Sequence, residues 1–224
     1  MKPTIAVLGG TGQEGSGLAL RWAHAGYPVV IGSRDPARAA TKAAEIGDRL
    51  GRASVAGGDN RVAAERGDIV VLTVPYAAHR ATLEGVKDAL SGKLLVDVTV
   101  PLVPPQVARV QLPPEGSAAV AAQRLLGPAV KVVSAFQNVS AHLLESVDAP
   151  VECDVLVCGD DKEARAAVVA LAEAAGMRGI HGGALANSAA AEALTSVLIF
   201  INRRYGITHS GIRFTGLPED REAR

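Results

Sequence analysis

With 224 residues, 48% hydrophobic but only 3% aromatic, the chain can bury one sizeable core, or one core and a small appended unit, built from Val, Leu, Ile and Ala. Its 23 basic and 23 acidic residues cancel to a formal charge of zero, which excludes the electrostatic footprint of a nucleic-acid-binding protein or of one held to an anionic membrane by charge. The same neutrality leaves little repulsion between copies, so a homodimer is expected.

The two cysteines, Cys153 and Cys158, are spaced to fall on opposite faces of a strand, so neither a metal site nor a redox motif is expected. A reducing compartment, the cytoplasm, suits them. The first strand starts directly after Met1-Lys2-Pro3-Thr4, which leaves no room for a signal peptide. No apolar run approaches the length of a membrane span; Val197–Ile201 ends at Asn202-Arg203-Arg204.

The chain opens on a buried strand, Ile5–Leu8, that runs into Gly10-x-Gly12-x-x-Gly15 and an apolar-periodic helix from Ser16 to Ala25. In that setting Gly10 permits a tight turn, Gly12 lets main chain approach a pyrophosphate, and Gly15 lets the helix pack on the sheet. Gly10, Thr11, Gly12, Gln13, Glu14 and Gly15 are therefore the expected dinucleotide turn, with the helix N-terminus offering N–H groups to the phosphates. Gly26 stops the helix, and a second strand, Val29–Ile31, ends at Gly32-Ser33-Arg34. An NAD site usually places an acid here for the ribose 2′-OH. Ser33 and Arg34 would instead donate to a 2′-phosphate, with Arg38 adding charge, so NADP is expected; Asp35-Pro36 reads as a helix cap and first-turn proline.

A helix over 37–50, a strand around 54–56, a turn at Gly57-Gly58-Asp59-Asn60 and a short helix over 61–65 lead to a buried strand, Asp68–Pro75. Short helical crossovers between apolar strands predict an α/β, Rossmann-type fold with a mostly parallel sheet. Ligands of such sheets lie outside the strands' carboxyl ends, where Thr73, Val74, Pro75 and Tyr76 would face the nicotinamide half. His79, in the helix over 77–90, reads as a solvent-facing or capping residue ahead of a general acid or base. After the strand over 94–98, the proline-rich segment Thr99–Pro105 offers a rigid apolar wall suited to a flat ring or a buried connection.

Ser117 caps a helix through Leu126, and the strand over 129–134 delivers Ala135, Phe136, Gln137, Asn138 and Val139 to the crevice. Phe136 can be core or wall there, and Gln137 a polar contact or a bland loop residue. A dinucleotide domain over 1–150 is followed by a small C-terminal unit over 151–217 and a charged tail over 218–224. That unit carries a strand over 152–159, a helix over 162–175 capped at Asp160-Asp161, a short strand over 177–180, and a turn at His181-Gly182-Gly183. A long helix over 186–204 closes it, whose start at Leu185-Ala186-Asn187-Ser188 points into the crevice if it packs back on the first domain.

Taken together, the segments Gly9-Gly10-Thr11-Gly12 with Gly15, Gly32-Ser33-Arg34, Leu72-Thr73-Val74-Pro75-Tyr76, Val133-Ser134-Ala135-Phe136, Val157-Cys158-Gly159-Asp160-Asp161, Gly183–Ser188 and Glu192-Ala193-Leu194-Thr195 resemble the coenzyme F420-dependent NADP oxidoreductases over nearly the whole chain. The resemblance implies that Thr11, Ser33, Arg34 and Arg38 hold a 2′-phosphate. It further implies that Pro75, Tyr76, Ala135, Phe136 and Leu185 wall the nicotinamide and deazaflavin rings. Gln137 stands where some members carry histidine; with Val139 and Asn187 it belongs to the implied substrate side. The cytosolic domain of six-transmembrane ferric reductases is similar at greater distance.

The expected activity is reversible hydride transfer between NADP(H) and F420 by ring alignment, with no catalytic side chain and no metal. The alternatives are an NADPH-dependent reductase of a flavin, ferric chelate or small carbonyl compound, and an NADP-binding regulator.

Overall fold

Four consecutive buried residues, Ile5–Leu8, form β1 near the middle of one eight-stranded sheet in the computed structural model, which describes residues 1–51 and 55–217. The chain continues through α1 (Gln13–His24), β2 (Val29–Ser33), α2 (Pro36–Leu50), β3 (Val55–Asp59), α3 (Asn60–Arg66) and β4 (Ile69–Leu72). Then follow α4 (Tyr76–Val86) with a 3-10 turn over Lys87–Leu90, β5 (Leu94–Asp97), α5 (Ala118–Leu126), β6 (Lys131–Ser134) and α6 (Ala141–Leu144). The last elements are β7 (Asp154–Gly159), α7 (Lys162–Ala174), β8 (Arg178–Gly183) and, after a 3-10 turn over Leu185–Asn187, α8 (Ser188–Tyr205).

The strand order is β3-β2-β1-β4-β5-β6-β7-β8. The first six strands are parallel; β7 joins β6 antiparallel, and β8 pairs parallel with β7. The order of the first six is the doubly wound dinucleotide order, and its switch point lies between β1 and β4. Alternation along β1 splits the core. Ile5 and Val7 pack in one layer with Leu18 and Trp22 of α1, whereas Ala6 and Leu8 pack in the other with Leu83 of α4 and Ala119 of α5.

Several local expectations change. Gly57, Gly58 and Asp59 are strand rather than turn, paired with Ile31, Gly32 and Ser33. A Cβ on Gly57 would lie 2.4 Å from the Ala39 carbonyl carbon, so this glycine serves a close approach of α2 to the sheet, and sheet pairing overrides its turn propensity. His181-Gly182-Gly183 likewise belongs to β8, where a Cβ on Gly182 would meet Cys158 Sγ at 2.6 Å. Ser54, expected in the third strand, lies outside the described residues, as does the tail over 218–224. The stretch Leu185–Tyr205 is, at 21 residues, long and apolar enough by length and composition to cross a membrane, which corrects the statement that no run approaches that length. Within it Glu192 is fully buried, and its carboxylate accepts Ala118 and Ala119 N–H at the start of α5.

Arg21 of α1 joins the dinucleotide strands to the rest. It is 2% exposed, and its guanidinium donates to the carbonyls of Leu144 (3.2 Å), Ala175 (2.8 Å), Leu143 (2.9 Å), Ala149 (3.1 Å) and Ser146. Beside it, Trp22 Nε1 donates to Leu171 of α7 at 2.9 Å, and the indole meets the Phe136 ring edge-on at 5.7 Å. Arg21→Ala strips these carbonyls of their donor, and each buried unsatisfied group costs about 1–3 kcal/mol. The expected loss is at least about 3 kcal/mol in urea unfolding, and Arg21→Lys, which cannot reproduce the planar fork, recovers only part of it.

Candidate functional site

The turn after β1 is shaped by clashes that a side chain would cause. Gly9, rather than Gly10, takes the left-handed conformation, at φ +77°, against Val74. A Cβ on Gly15 would fall 2.4 Å from Thr73 Oγ1 and 2.8 Å from Gly10 Cα, which is the close helix packing expected of that position. A Cβ on Gly12 would meet Gly9 O at an ordinary contact distance of 3.5 Å, and Gly12 begins α1 with no side-chain cap. Asp35, Asp59, Ser117 and Asp161 cap α2, α3, α5 and α7. α1, like α4, α6 and α8, has no side-chain cap, so no capping side chain competes for the first-turn N–H groups that a diphosphate would take.

At the end of β2, Ser33 is buried and its Oγ accepts Asp35 N–H at 3.2 Å, while Arg34 and Arg38 are exposed. Asp35 Oδ1 accepts Ala37 N–H at 3.0 Å and Arg38 N–H at 3.2 Å. Two acids lie near this strand end, Asp35 and Asp59, the latter paired with Ser33; each caps a helix, α2 and α3, and with Arg34 and Arg38 exposed beside them the residues present fit NADP.

Thr73 donates from Oγ1 to Leu8 O at 2.9 Å, and Val74, Pro75 and Tyr76 follow at the end of β4. Burial, with Glu115 and Glu192 nearby, raises the Tyr76 phenol. Past β6 the expected wall is enclosed. Ala135, Phe136, Gln137 and Val139 are 0%, 1%, 5% and 6% exposed, and the Phe136 ring belongs to the core against Trp22. Leu185, 3% exposed, packs in the layer of α5, and its N–H is accepted by Asp160 Oδ1; Asn187 is exposed and donates to Gly182 O. The 98–116 connection presents Val103, Val110 and Leu112 at the surface. A cavity of about 160 Å³ opens between the 137–140 segment and α8.

His79 is neither solvent-facing nor a cap. It is 4% exposed, with Nε2 2.7 Å from Oδ2 of the fully buried Asp97. Asp97 went unmarked in the sequence, although an acid closing the apolar run Leu94-Leu95-Val96 signals a buried polar group that needs a partner. Around it Thr99 Oγ1 and Gln137 Oε1 are enclosed without partners. No group of three or more His, Cys, Asp or Glu that could hold a metal occurs among the described residues.

Glu14 stands beside the glycine turn with Oε1 enclosed and unpartnered, and burial pushes its carboxyl up to about 8. Its folded-state value lies above its ordinary 4.5, so its contribution to stability is complete below about pH 4.5 and is lost as pH rises toward 8. Glu14→Gln removes one such proton. Between pH 5 and 7.5 the fall of unfolding free energy should become shallower by up to about 1.4 kcal/mol per pH unit, read by urea denaturation at several pH values. Parallel pH profiles would mean that Glu14 is ionised in the folded protein.

A doubly wound sheet with an uncapped helix N-terminus at its switch point defines the dinucleotide-binding class of fold. Residues 4–101 match the family model described as NADP oxidoreductase, coenzyme F420-dependent. The chain is 44% identical over 221 residues to the F420-dependent NADP reductase of Methanocaldococcus jannaschii, covering 95% of this chain and 98% of that one. It is 43% identical to the enzyme of the same name from Methanothermobacter thermautotrophicus, covering 96% of each. At greater distance it is 31% identical to Metalloreductase STEAP3 of Rattus norvegicus, over 86% of this chain and 36% of that protein. Among solved structures, a candidate F420-dependent NADP-reductase from Arthrobacter sp. FB24 superposes with TM-score 0.81 at 27% identity, covering 94% and 98% of the two chains. The chain belongs to the F420-dependent NADP oxidoreductase family.

Proposed function

We propose that this protein passes a hydride reversibly between NADP(H) and coenzyme F420. Full-length similarity to named F420-dependent NADP reductases carries the reading, and the commitment of Asp35 to its helix supports the NADP half. When bound, the nicotinamide and the deazaflavin supply the redox chemistry, hydride passing between C4 of one and C5 of the other. The chain's part is to bind, align and shield.

In this reading the uncapped turn Gly10, Thr11, Gly12, Gln13, Glu14 and Gly15 receives the diphosphate. Thr11, Ser33, Arg34 and Arg38 take the 2′-phosphate. Thr73, Val74, Pro75 and Tyr76 line the nicotinamide, and Ala135, Phe136 and Leu185 back the ring end from within the core. Gln137, Val139 and Asn187 lie on the side of the second ring. We divide the chain into a nucleotide unit over 1–150 and an extension over 151–217, and place it in the cytoplasm, where the free thiols of Cys153 and Cys158 stay reduced.

The deciding experiment mixes protein and NADPH anaerobically with oxidised F420, with NADH, free flavin and a ferric chelate in parallel arms. Loss of the deazaflavin band with NADPH supports the proposal. Its absence, with turnover of flavin or chelate instead, favours the metalloreductase-like alternative to which the likeness to STEAP3 points. Arg34→Ala should weaken NADPH binding by roughly 1.5–3 kcal/mol, the worth of a charge-assisted contact, and leave NADH binding nearly unchanged. Equal losses would remove the 2′-phosphate assignment.

We further propose a homodimer formed through the outer face of α8, where Val197 and Phe200 are 43% and 57% exposed. Sedimentation should give twice the 22.9 kDa chain mass, and Phe200→Glu should shift it toward the monomer. A monomeric wild-type chain would refute this.

A further inference from the structure

Hydride transfer between two carriers leaves the most enclosed titratable pair at the ring end without a task. His79 and Asp97 are too deeply buried to exchange a proton with a substrate, yet Asp97 holds nearly everything around it. Its Oδ1 accepts Thr99 N–H at 3.0 Å, and its main-chain carbonyl accepts Ala135 N–H at 3.2 Å and Gln137 Nε2 at 2.8 Å. Gln137 Nε2 also donates to Ser134 Oγ at 2.9 Å, and the Gln137 carbonyl accepts Thr195 Oγ1 of α8 at 2.8 Å. Asn138 Nδ2 continues the chain to the Ala191 carbonyl at 2.8 Å. One run of hydrogen bonds thus connects α4, the ends of β5 and β6, and α8.

At the centre of that run the backbone is strained. Phe136, between Ala135 and Gln137, has φ +74°, the one positive value at a non-glycine residue among the described residues. For a bulky side chain this costs about 1–3 kcal/mol and persists only where the surroundings over-determine it. The Asp97 main-chain carbonyl accepts from the residues on both sides of Phe136, and the Trp22 contact holds the Phe136 ring.

We propose that His79 and Asp97 are positioning residues: His79 holds the Asp97 carboxylate, the carboxylate fixes the 97–99 turn through Thr99 N–H, and the Asp97 main-chain carbonyl, held in place by that turn, fixes the strained 135–137 segment against which the reacting rings are aligned. This rests on the reading that the nicotinamide end of the crevice lies over the ends of β4, β5 and β6. Hydride transfer needs the reacting carbons about 3–3.5 Å apart, and a misplacement of about 1 Å can cost about a hundredfold in rate. The diphosphate and 2′-phosphate are held at β1 and β2, away from this segment, so nucleotide affinity should be spared.

The test compares wild type, His79→Ala, His79→Gln and Asp97→Asn, each normalised to its folded fraction. His79→Ala should lower kcat roughly 10- to 100-fold with the KM for NADPH changed less than about twofold, and with a larger primary isotope effect from 4-deuterated NADPH as hydride transfer becomes limiting. His79→Gln, which keeps a donor for the carboxylate, should recover most of the rate. Should His79→Ala fail to fold, the isosteric Asp97→Asn should give the same split. Wild-type kcat and isotope effect in a folded variant would overturn the proposal, as would kcat and KM deteriorating together. If the wild-type enzyme does not reduce F420, the functional reading fails while the inference is still read from bound NADPH. Its emission at saturation should weaken in His79→Ala at unchanged Kd, and equal emission would overturn the positioning role.

Discussion

The buried guanidinium of Arg21 ties α1 to the 143–149 segment and to the end of α7. No side chain caps the first turn of α1. Its anchorage comes from its other end, where Arg21 gathers five carbonyls from the 143–149 segment and the end of α7. Trp22 adds a bond to Leu171 and an edge contact to Phe136. The same helix that presents the glycine turn thereby reaches the segment after β6 and the strands that extend the sheet.

What the sequence made legible follows from local chemistry. Ile5–Leu8 reads as a buried strand, Gly15 as a site of close helix packing, and Asp35 before Pro36 as a helix cap; each signal lies within a few residues of its structural cause. The illegible parts depend on partners far along the chain. Gly57 and Gly182 look like turn residues until a helix backbone or a cysteine sulfur is brought against them. His79 reads as a surface or capping residue because its partner, Asp97, is 18 residues on and belongs to another element. Phe136 was open between core and wall, and the choice was made by Trp22, which nothing in the local sequence connects with it.

Buried acids mark where this fold departs from what stability alone would select. Glu14 sits at the glycine turn after β1 and Glu192 on α8, and burial pushes each up to about 8. Their situations differ. Two N–H groups at the start of α5 bond the Glu192 carboxylate and act against that rise, so Glu192 is a structural bond between α8 and α5. Glu14 has an enclosed oxygen with no partner, beside the place where phosphates are expected. A neutral carboxyl there avoids repelling an anionic ligand, which a carboxylate would do at the cost of affinity.

The ring end of the crevice has a related logic. A carbonyl reductase needs a side chain that can give up a proton to a nascent alkoxide, and such a group must face the substrate with its donor free. Here the polar side chains near the strand ends bond mainly to one another: His79 to Asp97, Gln137 to Ser134, Thr195 to the Gln137 carbonyl. A reaction that moves hydride between two flat carriers asks instead for fixed spacing between rings. Side chains bound into the frame provide that, whereas free ones would not. Polar residues at this end of the sheet are therefore best understood as parts of a rigid mount, in which the strained Phe136 backbone and the buried His79–Asp97 pair serve one geometric requirement.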